Sequence, residues 1–217
     1  MQIGIIGAGN IGAALARRFV ELGHDVTIAN SREPETVRDV ADSCGATAAT
    51  AADATRGAEL VVVTIPEKSV PKLHSSVLDG APDAVVVDTG NYYPRRDGKI
   101  EAIEDGTPES QWVAEQLGRP VVKAFNNIHS EHLANEGRPS GTPGRIALPI
   151  AGDDPGDKAV VARLIDELGF DAIDAGTLEE SWRQQPGTPV YGTDHDAEGV
   201  RVALASASPE RPQDFRA

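Results

Sequence analysis

The sequence has a single cysteine, Cys44, among its 217 residues. One thiol excludes an internal disulfide and fits a reducing, cytoplasmic setting. Aromatic residues are also sparse, with four Phe, two Trp and three Tyr. Small aliphatic side chains must therefore fill the interior, which favours a Val/Ile-rich parallel sheet over a tyrosine-rich sandwich. Positive charge is short: 20 Lys and Arg face 34 Asp and Glu, a formal net charge of −14. Such a surface repels phosphate backbones and anionic leaflets, so neither nucleic acid nor a membrane is expected as a partner. Long apolar runs are missing as well. The stretch Glu59-Leu-Val-Val-Val-Thr-Ile65 falls far short of the roughly 18 residues a membrane span needs. Met1–Ile6 enters a strand pattern directly, without a basic segment or cleavage site, so no leader peptide is expected.

Short apolar runs alternate with helical patterns over the first 145 residues. Strands are expected at Gln2–Ile6, Asp25–Ala29, Ala46–Ala48, Leu60–Ile65, Ala84–Asp88 and Pro120–Phe125. Ile11, Leu15, Phe19 and Leu22 follow helical spacing and stop at Gly23; Glu33–Ser43 and Ser110–Leu117 read as further helices, each followed by glycine. Alternating strands and helices specify an α/β fold with a doubly wound parallel sheet. The Gly/Pro-rich stretch Gly137–Gly144 marks a boundary near residue 145. Residues 146–217 carry 14 acids and 6 bases, against 20 and 14 in residues 1–145. In this C-terminal extension a strand (Arg145–Ala151), a helix (Asp157–Leu168) and a strand (Phe170–Asp174) precede a short helix from Leu178. The expectation is a small strand–helix–strand unit extending the same sheet.

The sharpest signal is Gly7-Ala8-Gly9-Asn10-Ile11-Gly12, a G-x-G-x-x-G frame between the first strand and the first helix. The first glycine allows a tight turn, the second lets a pyrophosphate approach the backbone, and the third lets helix pack on strand. The pyrophosphate then meets the amides opening the 11–22 helix. At the end of the second strand, Asn30-Ser31-Arg32 stands where an NAD site usually places a carboxylate. A neutral amide, a hydroxyl and a guanidinium suit a 2′-phosphate, so NADP is expected over NAD. Ser31 is equally a favoured helix cap, and the two roles are compatible.

Ligands of open α/β sheets bind beyond the carboxyl ends of the strands. Those ends carry Thr64-Ile65-Pro66, Asp88-Thr89-Gly90-Asn91 and Lys123-Ala-Phe-Asn126-Asn127. Pro66 would give an apolar shelf beside Ile65, and Asn91 and Asn126 amides for a ribose or carboxamide. The same residues are also common turn formers.

The motifs Gly7–Gly12, Ile28-Ala-Asn-Ser-Arg32, Thr64-Ile-Pro66, Val122-Lys-Ala-Phe-Asn126, Ala151-Gly-Asp-Asp154 and Asp174-Ala-Gly-Thr-Leu178 occur together. In this combination the sequence resembles the NADP oxidoreductases that depend on an 8-hydroxy-5-deazaflavin, coenzyme F420, and their short relatives. The NADPH domain of transmembrane ferric reductases is similar. The resemblance covers about residues 1–191. It implies a Rossmann domain with a small C-terminal extension, NADP held by the Gly7–Gly12 turn and by Ser31 and Arg32, and often a homodimer. It also implies a deazaflavin as co-substrate, whose phosphate and glutamate chain the acidic extension would repel unless Arg95, Arg96 or Lys123 lies near.

Other features carry plainer alternatives. His129 follows a strand exit and is a candidate proton donor, or a solvated loop residue. With His132 it shares a helix face, but no third metal ligand is identifiable, and no metal is expected. Asp194-His195-Asp196 reads as a solvated acidic cluster. Cys44, Trp112 and Trp182 read as packing residues. Hydride can pass between two apposed ring carbons, so the lack of a recognisable acid–base constellation is compatible with an oxidoreductase acting on a small-molecule acceptor. Two alternatives stand beside this: an NADPH-dependent imine or carbonyl reductase, and a non-catalytic dinucleotide-binding sensor.

Overall fold

The computed structural model describes residues 1–30 and 33–217. Ser31 and Arg32, expected at the 2′-phosphate, lie outside the described residues. In chain order the elements are β1 (Gln2–Ile6), α1 (Asn10–Glu21), β2 (Asp25–Ala29), α2 (Arg38–Cys44), β3 (Thr47–Ala48), α3 (Ala51–Thr55), β4 (Leu60–Val63) and β5 (Val85–Asp88). Then follow α4 (Pro94–Asp97), α5 (Glu101–Glu104), α6 (Glu109–Leu117), β6 (Val122–Lys123), α7 (Ser130–Asn135), β7 (Ala147–Ile150), α8 (Pro155–Glu167), β8 (Asp171–Asp174) and α9 (Ala197–Ser206). The six strands β1 to β6 form one parallel sheet in the order β3-β2-β1-β4-β5-β6. The order reverses between β1 and β4, and there the carboxyl ends of the strands open a crevice.

All four β4 residues are buried. Leu60 and Val62 join Ile3, Ile5, Leu15 and Phe19 on one face of the sheet. Val61 and Val63 join Ile6, Val77 and Val86 on the other. The loss of polar alternation in the sequence has this cause: both faces of the strand are covered.

Several expected elements are shorter or differently built. The Glu33–Ser43 pattern divides into a 3-10 turn over Pro34–Val37 and α2, which Gly45 ends at φ +74°. The strand expected over Pro120–Phe125 contracts to Val122–Lys123, because Phe125 takes φ +60° and turns the chain out of the sheet. Leu22, counted in the apolar stripe of α1, is exposed at the helix end.

The C-terminal unit does not continue the parallel sheet. β7 and β8 pair with each other as a separate two-stranded parallel sheet, and one antiparallel bridge, Lys123 to Ala151, ties it to β6. It nevertheless packs on the main sheet, since Leu148, Ile150, Val161, Leu164 and Phe170 belong to the cluster containing Ile3, Leu15 and Phe19. Buried Arg145 pins its start, pairing with Asp166 (2.8 Å) and Asp171 (2.7 Å) and donating to the Gly169 carbonyl. Among the described residues no helix is long and apolar enough to cross a membrane.

Candidate functional site

The glycine turn divides its labour as its spacing predicts. Gly7 has φ +125°, and a Cβ there would lie 2.2 Å from the Thr64 carbonyl oxygen. A Cβ on Gly12 would lie 1.9 Å from the Gly7 carbonyl oxygen, so helix and turn touch through bare backbone. A Cβ on Gly9 would meet nothing within 4 Å. Space is therefore kept open at the one glycine that packing does not require, directly before the amides of α1. No acidic side chain occupies the first turn of that helix. An anion is favoured at such a terminus, so the residues present fit a pyrophosphate.

Two cavities open on either side of this turn. One, of about 450 Å³, is lined by Gly7, Ala8, Gly9, Asn30, Thr36 and Lys72. The other, of about 390 Å³, is lined by Asn10, Ile11, Asn91, Tyr93, Asn126, His129 and Tyr191. Gly9, Thr64, Ile65 and Pro66 line both and form a saddle between them. Every described residue expected at the cofactor, except the buried Gly12, thus lines one or other of these two adjoining cavities. Asn30 lines the first, and its amide donates to Thr36 Oγ1 (3.0 Å). Lys72, which no motif singled out, also reaches the first cavity.

The amides of Asn91 and Asn126 are brought together but largely spent. Asn91 Nδ2 donates to the Asn126 carbonyl (2.9 Å), while Asn126 Nδ2 donates to Asn91 Oδ1 (3.0 Å) and to the Gln184 carbonyl (2.6 Å). Gln184 Nε2 in turn donates to Asn126 Oδ1 (3.0 Å). These side chains form a fixed rim linking β5, β6 and the extension. The left-handed backbone at Phe125, a strain of about 1–3 kcal/mol, swings Asn126 into that rim.

Beneath the Gly90 loop lies a charged cluster that sequence reasoning missed. Lys123 is fully buried, donates to the Gly90 carbonyl (2.7 Å), and stands 3.6 Å from Asp88 and 3.9 Å from Glu109. It therefore cannot reach a ligand. Asp88 accepts from Ser110 (2.6 Å) and the Gly90 amide (2.8 Å). Glu109 accepts from Arg211 of the extension (2.8 Å). Burial, together with the Glu109 and Asp88 carboxylates, raises the Glu67 carboxyl well above its ordinary value. Arg96 lines the second cavity but is committed to Glu67 (2.8 Å), Asp97 (2.8 Å) and the Asn91 carbonyl. Arg95 is exposed.

Tyr191, from the extension, meets Tyr93 hydroxyl to hydroxyl across the second cavity. His129 is exposed at its rim and stacks edge-on against His132 (5.6 Å), which pairs with Asp194 (2.9 Å). Among the described residues no group of three metal-ligating side chains is assembled. Cys44 is buried, with its thiol 3.4 Å from the Ala13 carbonyl, and Trp112 is buried.

Residues 2–92 match a family described as NADP oxidoreductase, coenzyme F420-dependent. The F420-dependent NADP reductase of Methanothermobacter thermautotrophicus is 29% identical over 201 residues, covering 83% of each chain. The Escherichia coli strain K12 protein YjhV is 46% identical over 79 residues, and the match spans 36% of this chain and half of that protein. Among solved structures, a hypothetical protein from Sinorhizobium meliloti aligns with TM-score 0.74 and 32% identity, over 89% of this chain and 94% of its own. A protein from Arthrobacter sp. FB24, described as a putative F420-dependent NADP-reductase, aligns with TM-score 0.66 and 26% identity, over 82% and 86%. Imine reductases of Myxococcus stipitatus, below 25% identity, share the fold alone. Residues 2–92 thus share the pattern of the coenzyme F420-dependent NADP oxidoreductases, and the chain is similar over 83% of its length to a reductase of that name.

Proposed function

We propose that this chain binds NADP(H) across the two cavities and moves hydride between NADPH and an 8-hydroxy-5-deazaflavin. The observation that carries the reading is the saddle at Gly9 and Pro66. It joins a cavity ending at Asn30 and Lys72 to one walled by Tyr191, at the carboxyl ends of a 3-2-1-4-5-6 sheet. The Gly9–Gly12 amides take the pyrophosphate. Ser31 and Arg32, which follow Asn30 in sequence, take the 2′-phosphate together with Lys72 of the first cavity and select NADP. Pro66 and the Asn91–Asn126 rim orient the nicotinamide end, and the extension walls the face on which a flat acceptor stacks. When bound, NADPH supplies the hydride, and the protein supplies approach and alignment. Likeness to two proteins named as F420-dependent reductases supports the acceptor. A homodimer and a cytoplasmic location belong to the same reading.

Two phenols in the acceptor cavity favour one second reading, reduction of a small imine or carbonyl compound. The test is to mix the purified protein with NADPH and the oxidised deazaflavin and follow loss of visible absorbance. Turnover is expected. Its absence, with NADPH demonstrably bound, removes the deazaflavin and leaves the imine or carbonyl panel to be tried.

A further inference from the structure

The chain has three tyrosines; Tyr93 and Tyr191 line the second cavity, and Tyr92 is buried. Tyr92 is fully committed. Its hydroxyl meets Glu104 (2.9 Å) and the Gly98 carbonyl (3.0 Å), and it accepts from the Ile100 amide (3.2 Å). Tyr93 and Tyr191 differ. Their hydroxyls find only each other among the described residues. A phenol carries one proton, so a bonded pair uses one and leaves the second without a protein acceptor. Both rings line the second cavity, beside the rim where the acceptor would stack.

The surroundings keep a hydrogen-bond donor in place. Burial, the Tyr93 hydroxyl and the Glu109 carboxylate raise Tyr191 far above an ordinary phenol, so it stays protonated at working pH. The Arg96 guanidinium lies 5.0 Å from the centre of the Tyr93 ring, where a cation offsets negative charge building on that phenol. The other amides at the rim, those of Asn91 and Asn126, are bonded to each other and to Gln184.

We propose that Tyr93 and Tyr191 work as one hydroxyl dyad, which hydrogen-bonds the acceptor atom on which charge collects and gives it a proton. This rests on reading the cavity as the hydride-transfer site. It assigns the acceptor a chemical class: a carbon that takes hydride, conjugated to a ring nitrogen or a carbonyl or imine heteroatom. As the new C–H bond forms with the hydride's electron pair, the displaced π pair moves to that heteroatom. The outer hydroxyl of the dyad breaks its O–H bond to protonate it. The inner hydroxyl refills the outer through their shared bond, and water at the cavity mouth restores the inner, so one proton from solvent balances each hydride from NADPH.

The test uses Tyr93→Phe, Tyr191→Phe and the double variant, with the oxidised deazaflavin, a flavin and a cyclic imine as acceptors. Each single variant is expected to lower kcat roughly 10²- to 10⁴-fold, the usual cost of losing a general acid. The double variant should fall no further than about the worse single, because the two hydroxyls act as a unit. The Kd for NADPH should stay within about twofold, whereas binding of the oxidised acceptor to NADP⁺-loaded protein should weaken about tenfold in both single variants. Wild-type kcat in Tyr191→Phe, or losses that multiply in the double variant, would overturn the dyad. A parallel loss of NADPH affinity would make the pair a structural latch and overturn it too. Failure of the deazaflavin alone, with turnover of the imine, overturns the acceptor assignment while the same cycle still judges the dyad. Failure of every acceptor to bind or react overturns both.

Discussion

Replacing Gly9 by valine separates binding from folding. Gly9 has φ −79° and ψ −171°, an extended backbone that valine adopts readily, and an added Cβ meets nothing within 4 Å. Restricting the unfolded chain contributes about 0.4–1 kcal/mol of stability. Loss of a good helix-cap residue costs a comparable amount, so net stability should move by less than about 1 kcal/mol. Binding should change far more, because the isopropyl group fills the space through which a pyrophosphate must reach the amides of α1. Two charge-assisted hydrogen bonds at roughly 1.5–3 kcal/mol each amount to at least a hundredfold loss of NADPH affinity. Gly12→Ala is the contrasting variant. Its Cβ would lie 1.9 Å from the Gly7 carbonyl oxygen, and overpacking of this kind costs about 1–3 kcal/mol. Urea unfolding and calorimetric titration with NADPH measure both quantities on both proteins. A folded Gly9→Val protein with normal NADPH affinity would refute the placement of the pyrophosphate.

Arg32→Ala should weaken NADPH binding about tenfold to a hundredfold and leave NADH nearly unchanged, read by titration with each cofactor; equal losses would make Arg32 structural. His129→Ala should keep kcat within about tenfold, since losing a general acid typically costs 10²–10⁴; a thousandfold fall at unchanged NADPH affinity would make His129 the proton donor. Glu67 gives a pH prediction. Its carboxyl is raised above 4.5 on folding, so the unfolded chain binds fewer protons in that range, and its contribution to stability falls as pH rises from about 4.5 through the folded value. Glu67→Gln should flatten the dependence of urea midpoint on pH, and an unchanged slope would show that other groups govern it.

The parallel sheet was legible because β1, β2, β4 and β5 are largely buried apolar runs, each a local pattern; the strand order came only with the structure. The glycine roles were legible too, since φ +125° at Gly7 and the 1.9 Å approach at Gly12 follow from a motif six residues long. What was not legible depends on pairs far apart in the chain. Tyr93 and Tyr191 are separated by 98 residues and Glu109 and Arg211 by 102, and no spacing rule announces either pair. Lys123 shows how the error runs: a lysine at a strand end reads as a ligand contact, yet buried carboxylates at 3.6 and 3.9 Å claim it for the interior. β6 was over-extended for a related reason, because the turn at Phe125 is a backbone choice that no glycine or proline marks.

The extension earns its place at the site through polar contacts rather than sheet pairing. A single β-bridge joins it to β6, which is too little to hold a wall in register. Three further crossings do that work: Gln184 grips both the side chain and the rim position of Asn126, Arg211 caps buried Glu109, and the Gly192 amide donates to the Asn127 carbonyl at 2.9 Å. Gly192 directly follows Tyr191, so the bond to Asn127 fixes the backbone beside that phenol. Breaking a buried hydrogen-bonded charge such as Glu109–Arg211 is costly because the remaining partner stays desolvated. Hydride transfer is sensitive to sub-ångström separation. A wall fixed by buried, mutually dependent polar contacts meets that demand better than a flexible apolar flap, and it delivers the Tyr191 phenol to a fixed point beside Tyr93.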